Sequence, residues 1–178
     1  MREDTLAGTP DDIQLLILDV DGVLTDGSVL LADDGSELKR FNAKDGAAIR
    51  WWLRSGRQMA WISGRESPAV SRRAQDLGVQ HVYQHALKKL EVYADLLKQL
   101  KLSPERTACM GDDLMDLPIL IRCGFSIAVA DAMPEVRDRA DLVTQRPGGR
   151  GAVAEAIRFL LRAGGDYQAI VEGYTKED

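Results

Sequence analysis

The sequence predicts an α/β fold, a Rossmann-like, doubly wound, mostly parallel sheet with helices on both faces. Three observations predict it. Short apolar runs alternate with stretches of helical periodicity along the chain, the pattern of right-handed β–α–β crossovers. Three of those runs end in polar clusters, Asp19-Val20-Asp21, Ser63-Gly64-Arg65 and Gly111-Asp112-Asp113. In a parallel sheet such clusters share the carboxyl edge, where ligands bind. The 178 residues, 45% apolar and 29% charged, suit one domain, 1–178, with one sizeable core.

The elements follow in order. Leu15–Leu18 is a short apolar run that stops at Asp19, as expected of a strand buried on both faces. Val29–Leu31, Asp33-Asp34-Gly35 and Glu37–Phe41 read as a β-hairpin, about 28–41, too small to be a cap domain. Asp45–Ser55 carries Ile49, Trp52 and Leu53 at helical spacing and stops at Gly56. Met59–Ile62 is a strand. Pro68–Leu77 is a helix with Ser67 as its cap, Pro68 at its first position and Gly78 beyond its end. His81–Tyr83 is a strand and Lys89–Leu100 a helix, with Leu90, Tyr93, Ala94 and Leu97 on one face. Thr107–Met110 is a strand, Leu114–Cys123 a helix ended by Gly124, Phe125–Val129 a strand and Gly151–Ala163 a helix. The tail, about 164–178, is polar and expected to be loosely held.

Bulk properties exclude several function classes. Net charge is −5 and no long basic run occurs, so neither a nucleic-acid nor a membrane surface is expected. The start, Met1 to Asp12, is polar and acidic, unlike a signal peptide, and no apolar run is long enough to cross a bilayer. The two cysteines, Cys109 and Cys123, form no Cys-x-x-Cys pair and suit reduced thiols in a cytoplasmic protein.

Asp19 and Asp21 carry the chemistry. Two carboxylates two residues apart on extended backbone face the same side and repel unless a cation intervenes. An aspartate can attack phosphorus once Mg²⁺ neutralises the phosphoryl oxygens. Asp19 is then the nucleophile, and Asp21 the group that protonates the leaving oxygen and later deprotonates water. An isolated Asp-x-Asp is more often a turn or a helix cap, so the surrounding residues decide.

The string Leu16-Ile17-Leu18-Asp19-Val20-Asp21-Gly22-Val23-Leu24-Thr25-Asp26-Gly27 resembles the first motif of the haloacid dehalogenase superfamily of phosphatases. The resemblance implies that Ser63 hydrogen-bonds the phosphoryl group and that Lys89 neutralises phosphate and nucleophile. Gly111-Asp112-Asp113-Leu114-Met115-Asp116 matches the superfamily's acidic metal motif. The metal is expected to be Mg²⁺, on Asp19, Asp112 and the backbone carbonyl of Asp21. His81 and His85 lack matching partners for zinc and are read as non-catalytic.

From about Asp12 to Ala163 the chain resembles one family within it. The hairpin, Phe41-Asn42-Ala43-Lys44-Asp45-Gly46, Ile62-Ser63-Gly64-Arg65 and Gly148-Gly149-Arg150-Gly151-Ala152-Val153 are similar to those of capless 3-deoxy-D-manno-octulosonate 8-phosphate (Kdo 8-phosphate) phosphatases. The resemblance implies a small-molecule sugar-phosphate substrate, a place in lipopolysaccharide biosynthesis, and a homotetramer in which four hairpins pack and a neighbour helps cover each site. It implies substrate contacts at Asp21, Asn42, Ala43, Lys44, Asp45, Gly46, Arg50, Gly64, Arg65, Arg73, Lys89 and Asp113. Arg65 and Arg73 suit anions through forked hydrogen bonds. Two positions depart from the family: Lys44, where Arg is common, and His85, where Gly is usual. Competing readings are a phosphatase for another keto-deoxy sugar acid, such as a nonulosonate 9-phosphate, a non-catalytic assembly domain, and a phospho-receiver; the last lacks a reason for Asp21.

Overall fold

The computed structural model describes residues 9–176; the reading of Met1 to Asp12 lies outside it for the first eight residues, and that of the tail for the last two. Strand β1 (Leu15–Leu18) is fully buried and lies inside a six-stranded sheet. Beside it run β4 (Gln58–Ile62) and, beyond that, β5 (His81–Tyr83). On its other side lie β6 (Thr107–Gly111), β7 (Phe125–Ala128) and the short β8 (Leu142–Val143), which sequence patterning does not reveal. All pairs in the β5-β4-β1-β6-β7-β8 order are parallel.

The chain moves outward from β1 through β4 to β5, then returns to β6 on the far side of β1. Right-handed crossovers then place helices α1 (Ala43–Arg54) and α2 (Pro68–Leu77) on one face and α3 (Lys89–Leu100), α4 (Leu117–Leu120) and α5 (Pro134–Arg137) on the other. The contacts agree: α3 packs on α4, while α6 (Ala152–Ala163) returns to pack on α1. The order reverses between β1 and β6, so a crevice opens at their carboxyl ends.

Register decides what meets there. Leu18 stands beside Trp61 of β4 and Met110 of β6. One residue beyond Leu18 comes Asp19, and two beyond Trp61 and Met110 come Ser63 and Asp112, so all three reach the same edge. The backbone N–H of Asp19 donates to the Met110 carbonyl at 3.0 Å, and that of Ser63 to Tyr83 at 2.9 Å.

The structure amends several expected boundaries. The hairpin keeps only two residues in each strand, β2 (Leu30–Leu31) and β3 (Glu37–Leu38). Helix α1 begins earlier than expected, at Ala43, because the Asn42 side chain caps it by accepting from Lys44 N–H at 2.8 Å. Ser67 occupies the cap position of α2 but makes no side-chain cap bond; its N–H donates to Gln84 Oε1 at 2.7 Å. The expected helix Leu114–Cys123 breaks into a 3₁₀ turn, Leu114–Asp116, followed by the four-residue α4. The cause is local: Asp116 Oδ2 turns back onto the N–H groups of Asp112 and Asp113, at 3.0 and 3.2 Å. That reversal leaves the other Asp116 oxygen, Oδ1, to accept from Lys89 at 2.6 Å.

The tail is not loose throughout. Tyr167–Thr175 forms α7, with the Tyr167 and Tyr174 rings edge-on to Trp51 at 6.5 and 6.4 Å. Trp51 Nε1 donates to the Tyr174 hydroxyl at 3.1 Å, and Arg57 pairs with Asp166 at 2.5 Å. An aromatic anchor of this kind is invisible to polarity alone.

Candidate active site

At the end of β1 the chain must turn sharply to present Asp19 and Asp21 together. It does so around the Val20 carbonyl, which accepts from the N–H groups of Leu24 and Thr25, both at 3.0 Å. Gly22 makes the turn possible: its φ is +100°, and a Cβ there would collide with the Asp112 carboxylate.

Asp19 is buried, and Lys89 Nζ bridges it to Asp116 at 2.5 and 2.6 Å. Lys89 opens α3 from a loop tied to the Ser63 turn, since Ala86 N–H donates to the Ser63 carbonyl at 2.9 Å. His85 N–H likewise donates to the Arg65 carbonyl at 3.2 Å, and His85 itself adopts φ +56°. A left-handed residue in this loop explains why glycine suits the position.

Three carboxylates, Asp19, Asp112 and Asp116, bring oxygens within 4.8 Å of one another with one ammonium among them. Burial raises Asp19 from an ordinary 3.8 to about 7, with Asp116 adding to the rise and Lys89 opposing it. Burial and the neighbouring Asp19 and Asp116 raise Asp112 to about 8. The pKa of Lys89 is raised as well: burial lowers it, but Asp19 and Asp116 outweigh burial. Asp112 Oδ1 is buried without a hydrogen-bond partner. A buried, unpaired oxygen in an over-negative cluster of oxygen donors fits a hard divalent cation. The donor set fits Mg²⁺, which Asp19, Asp112 and the Asp21 carbonyl would hold.

These residues line a cavity of about 310 Å³ together with Asp21, Ser63, Gly64, Arg65 and Asp113, with Leu87 and Met115 also in its wall. Ser63 is buried and its hydroxyl accepts from Arg65 N–H at 3.1 Å. Arg65 reaches Glu37 at 3.1 Å and Asp21 at 3.8 Å. Asp113 is exposed and caps the 3₁₀ turn through Leu114 N–H at 2.5 Å.

The other residues expected to touch substrate stand apart from this cavity within the chain. Asn42 and Asp45 are occupied at helix ends: Asp45 is buried and accepts from Gly151 and Ala154 N–H at 3.2 and 2.8 Å, capping α6. Ala43 and Lys44 are exposed. Gly46 leaves room for the Arg73 guanidinium, which bonds Asp76 at 2.6 Å; Arg50 bonds the Asp76 carbonyl at 3.1 Å. Sequence reading also missed three residues. Asp116 stands at the end of the acidic string, three residues beyond Asp113, and that spacing could have revealed it. Glu37 and Lys39 gave no local signal, because Lys39 meets Asp21, and Glu37 meets Arg65, only once the hairpin folds back.

The raised carboxylates make a pH prediction. Between about pH 4 and pH 8 the folded metal-free protein holds protons that the unfolded chain has released, so its stability falls as pH rises through that window. Mg²⁺ replaces those protons. Its stabilisation is expected to be slight at pH 5 and to reach about 5–10 °C at pH 8, with Mg²⁺ at one hundred times its Kd. Differential scanning fluorimetry checks this, and a shift independent of pH would count against the cluster.

The comparisons agree with the geometry. A model of haloacid dehalogenase-like hydrolases matches residues 77–157. The Kdo 8-phosphate phosphatase of Escherichia coli (strain K12) is 48% identical over 155 residues, 87% of this chain and 82% of that protein. The crystal structure of the Yersinia pestis phosphatase of the same name superposes with a TM-score of 0.89 at 42% identity, covering 93% of this chain and 89% of that one. The Moraxella catarrhalis phosphatase, solved in complex with magnesium ion, phosphate ion and a KDO molecule, gives a TM-score of 0.92 at 35% identity, covering 93% and 95%. This chain, with its acidic crevice at the β1–β6 switch point, belongs to the 3-deoxy-D-manno-octulosonate 8-phosphate phosphatase family of haloacid dehalogenase-like hydrolases.

Proposed function

We propose that the chain hydrolyses 3-deoxy-D-manno-octulosonate 8-phosphate to Kdo and phosphate, in lipopolysaccharide biosynthesis, through an aspartyl phosphate on Asp19. The observation that carries this reading is the buried Asp19, bonded to Lys89 and facing Asp112 in the wall of the cavity. Bound Mg²⁺ neutralises the phosphoryl oxygens and the crowded carboxylates. Asp19 attacks phosphorus in line while the bond to the sugar oxygen breaks. Asp21 gives that oxygen its proton, then takes one from the water that attacks the phosphoaspartate, which frees phosphate and restores Asp19. Ser63 and Lys89 hold the phosphoryl oxygens, and Arg65 faces the sugar acid. The test is phosphate release from Kdo 8-phosphate beside a nonulosonate 9-phosphate. At least about tenfold higher kcat/KM for the former is expected, on the scale of one pocket contact; the reverse order would assign the chain to the longer sugar.

The same reading makes the enzyme a cytoplasmic homotetramer. Val29, Leu30, Leu31 and Leu38 of the hairpin are 47, 48, 73 and 60% exposed, apolar surface that a two-stranded ribbon leaves open. Four packed hairpins would cover it. The exposed Ala43, Lys44 and Arg50, remote from their own cavity, would then serve a neighbour's, while Asp45 stays buried as the cap of α6. Among the described residues no helix is long and apolar enough to cross a membrane, and both cysteines are free and buried, in keeping with a reducing compartment. Glutamates at Val29 and Leu31 are expected to give smaller species by light scattering, with sugar-phosphate turnover weakened more than aryl-phosphate turnover. A wild-type protein that is monomeric and fully active would remove the tetramer from this account.

A further inference from the structure

The hairpin does something besides expose leucines. Lys39, just after β3, turns inward, and its side chain is only 1% exposed. Burying an ammonium is unfavourable unless carboxylates surround it, and here two do. Lys39 Nζ pairs with Asp21 Oδ1 and, at 3.0 Å, with Glu37 Oε1. Arg65 closes the ring, bonding the same Glu37 oxygen at 3.1 Å and approaching the other Asp21 oxygen, Oδ2, at 3.8 Å. The two oxygens of Asp21 are thus distinguished: Lys39 occupies Oδ1, and Oδ2 faces Arg65, which lines the cavity.

Among the described residues, Lys39 and Arg65 are the side chains that pair with Asp21; its neighbour Gly22 is in a left-handed turn, and its carboxylate is 20% exposed. A proton donor must be held within a few tenths of an ångström of the atom it serves. We infer that Lys39 is a positioning residue: it clamps Asp21 Oδ1 through the hairpin so that Oδ2 meets the bridging oxygen of the sugar phosphate. Lys39 touches neither phosphorus nor the sugar and acts through Asp21. Glu37 holds Lys39 in place, and the hairpin thereby becomes part of the catalytic apparatus as well as an assembly surface. This inference rests on the role of Asp21 proposed above.

The test is a double-mutant cycle of Lys39→Met and Asp21→Asn on the assembled, Mg²⁺-loaded enzyme, with Kdo 8-phosphate and an activated aryl phosphate as substrates. Lys39→Met is expected to lower kcat on the sugar phosphate about 10–100-fold, a part of what a general acid contributes, with KM within about threefold. The aryl phosphate, whose leaving group needs little protonation, is expected to lose much less. Lys39→Arg should restore most of the sugar-phosphate turnover, since a guanidinium can bridge the same two carboxylates. In the Asp21→Asn background, adding Lys39→Met should cost nothing further. Several results would overturn the inference alone: an undiminished effect of Lys39→Met in that background, a loss confined to KM, or equal loss on both substrates with a lowered Tm. Sugar-phosphate turnover unchanged in Asp21→Asn would overturn the acid/base role itself, and with it this one.

Discussion

Asp19→Asn is expected to abolish turnover, leaving less than about one thousandth of the wild-type rate, the scale on which loss of a nucleophile registers. The amide oxygen is a poor nucleophile toward phosphorus and a weak ligand for Mg²⁺. The fold should survive, because Lys89 keeps Asp116 at 2.6 Å and the substitution removes a charge from an over-negative cluster. The melting temperature of the metal-free variant at pH 8 should accordingly be no lower than that of wild type, since the carboxylate lost is one that burial disfavours. Steady-state phosphate release measures the first expectation, and mass spectrometry of the quenched enzyme adds a second: no phosphoryl adduct on the variant. Sustained multiple turnover above one part in about a thousand would remove Asp19 from the nucleophile's role.

Lys89→Met separates charge from scaffolding. Methionine preserves the length of the side chain but leaves Asp19, Asp112 and Asp116 with no cation between them. Turnover is expected to fall about 10²–10³-fold, as when one preorganised charge is removed from a transition state. Mg²⁺ should bind more tightly, because the ammonium that competes for the same carboxylates is gone. The metal-free variant should lose stability more steeply than wild type as pH rises toward 8, where Asp19 and Asp112 ionise. Titration calorimetry with Mg²⁺ decides between two roles: tighter binding supports charge neutralisation, and weaker binding would make Lys89 chiefly a brace for the ligands.

The chemistry was legible in the sequence because it is written in contiguous strings. A buried strand followed by Asp19 and Asp21 is a local pattern, and so is the acidic string from Gly111 to Asp116. Parallel-sheet logic then brings both, with Ser63, to one edge, and the register of Leu18 beside Trp61 and Met110 bears that out. The boundaries that moved did so for local hydrogen bonds: the Asn42 cap that starts α1 at Ala43, and the Asp116 carboxylate that breaks the expected helix after Leu114. Residues such as Asp45 could be assigned to substrate from motif alone, yet its two bonds to the start of α6 come from 106 and 109 residues away.

By itself, then, the sequence determined the parallel α/β class and most of its strands and helices, though not β8 or α7, and marked Asp19, Asp112 and Lys89 as candidates, because each depends on residue type and spacing along a single segment. Tertiary structure alone decided which groups face one another across long separations. Lys39 reaches Asp21 over 18 residues, Lys89 joins Asp19 over 70, and Asp116 completes the acidic cluster only when β6 lies beside β1. The physical reason is that a buried charge is tolerated only beside its partner, and a chain's periodicity carries no record of which distant partner that is.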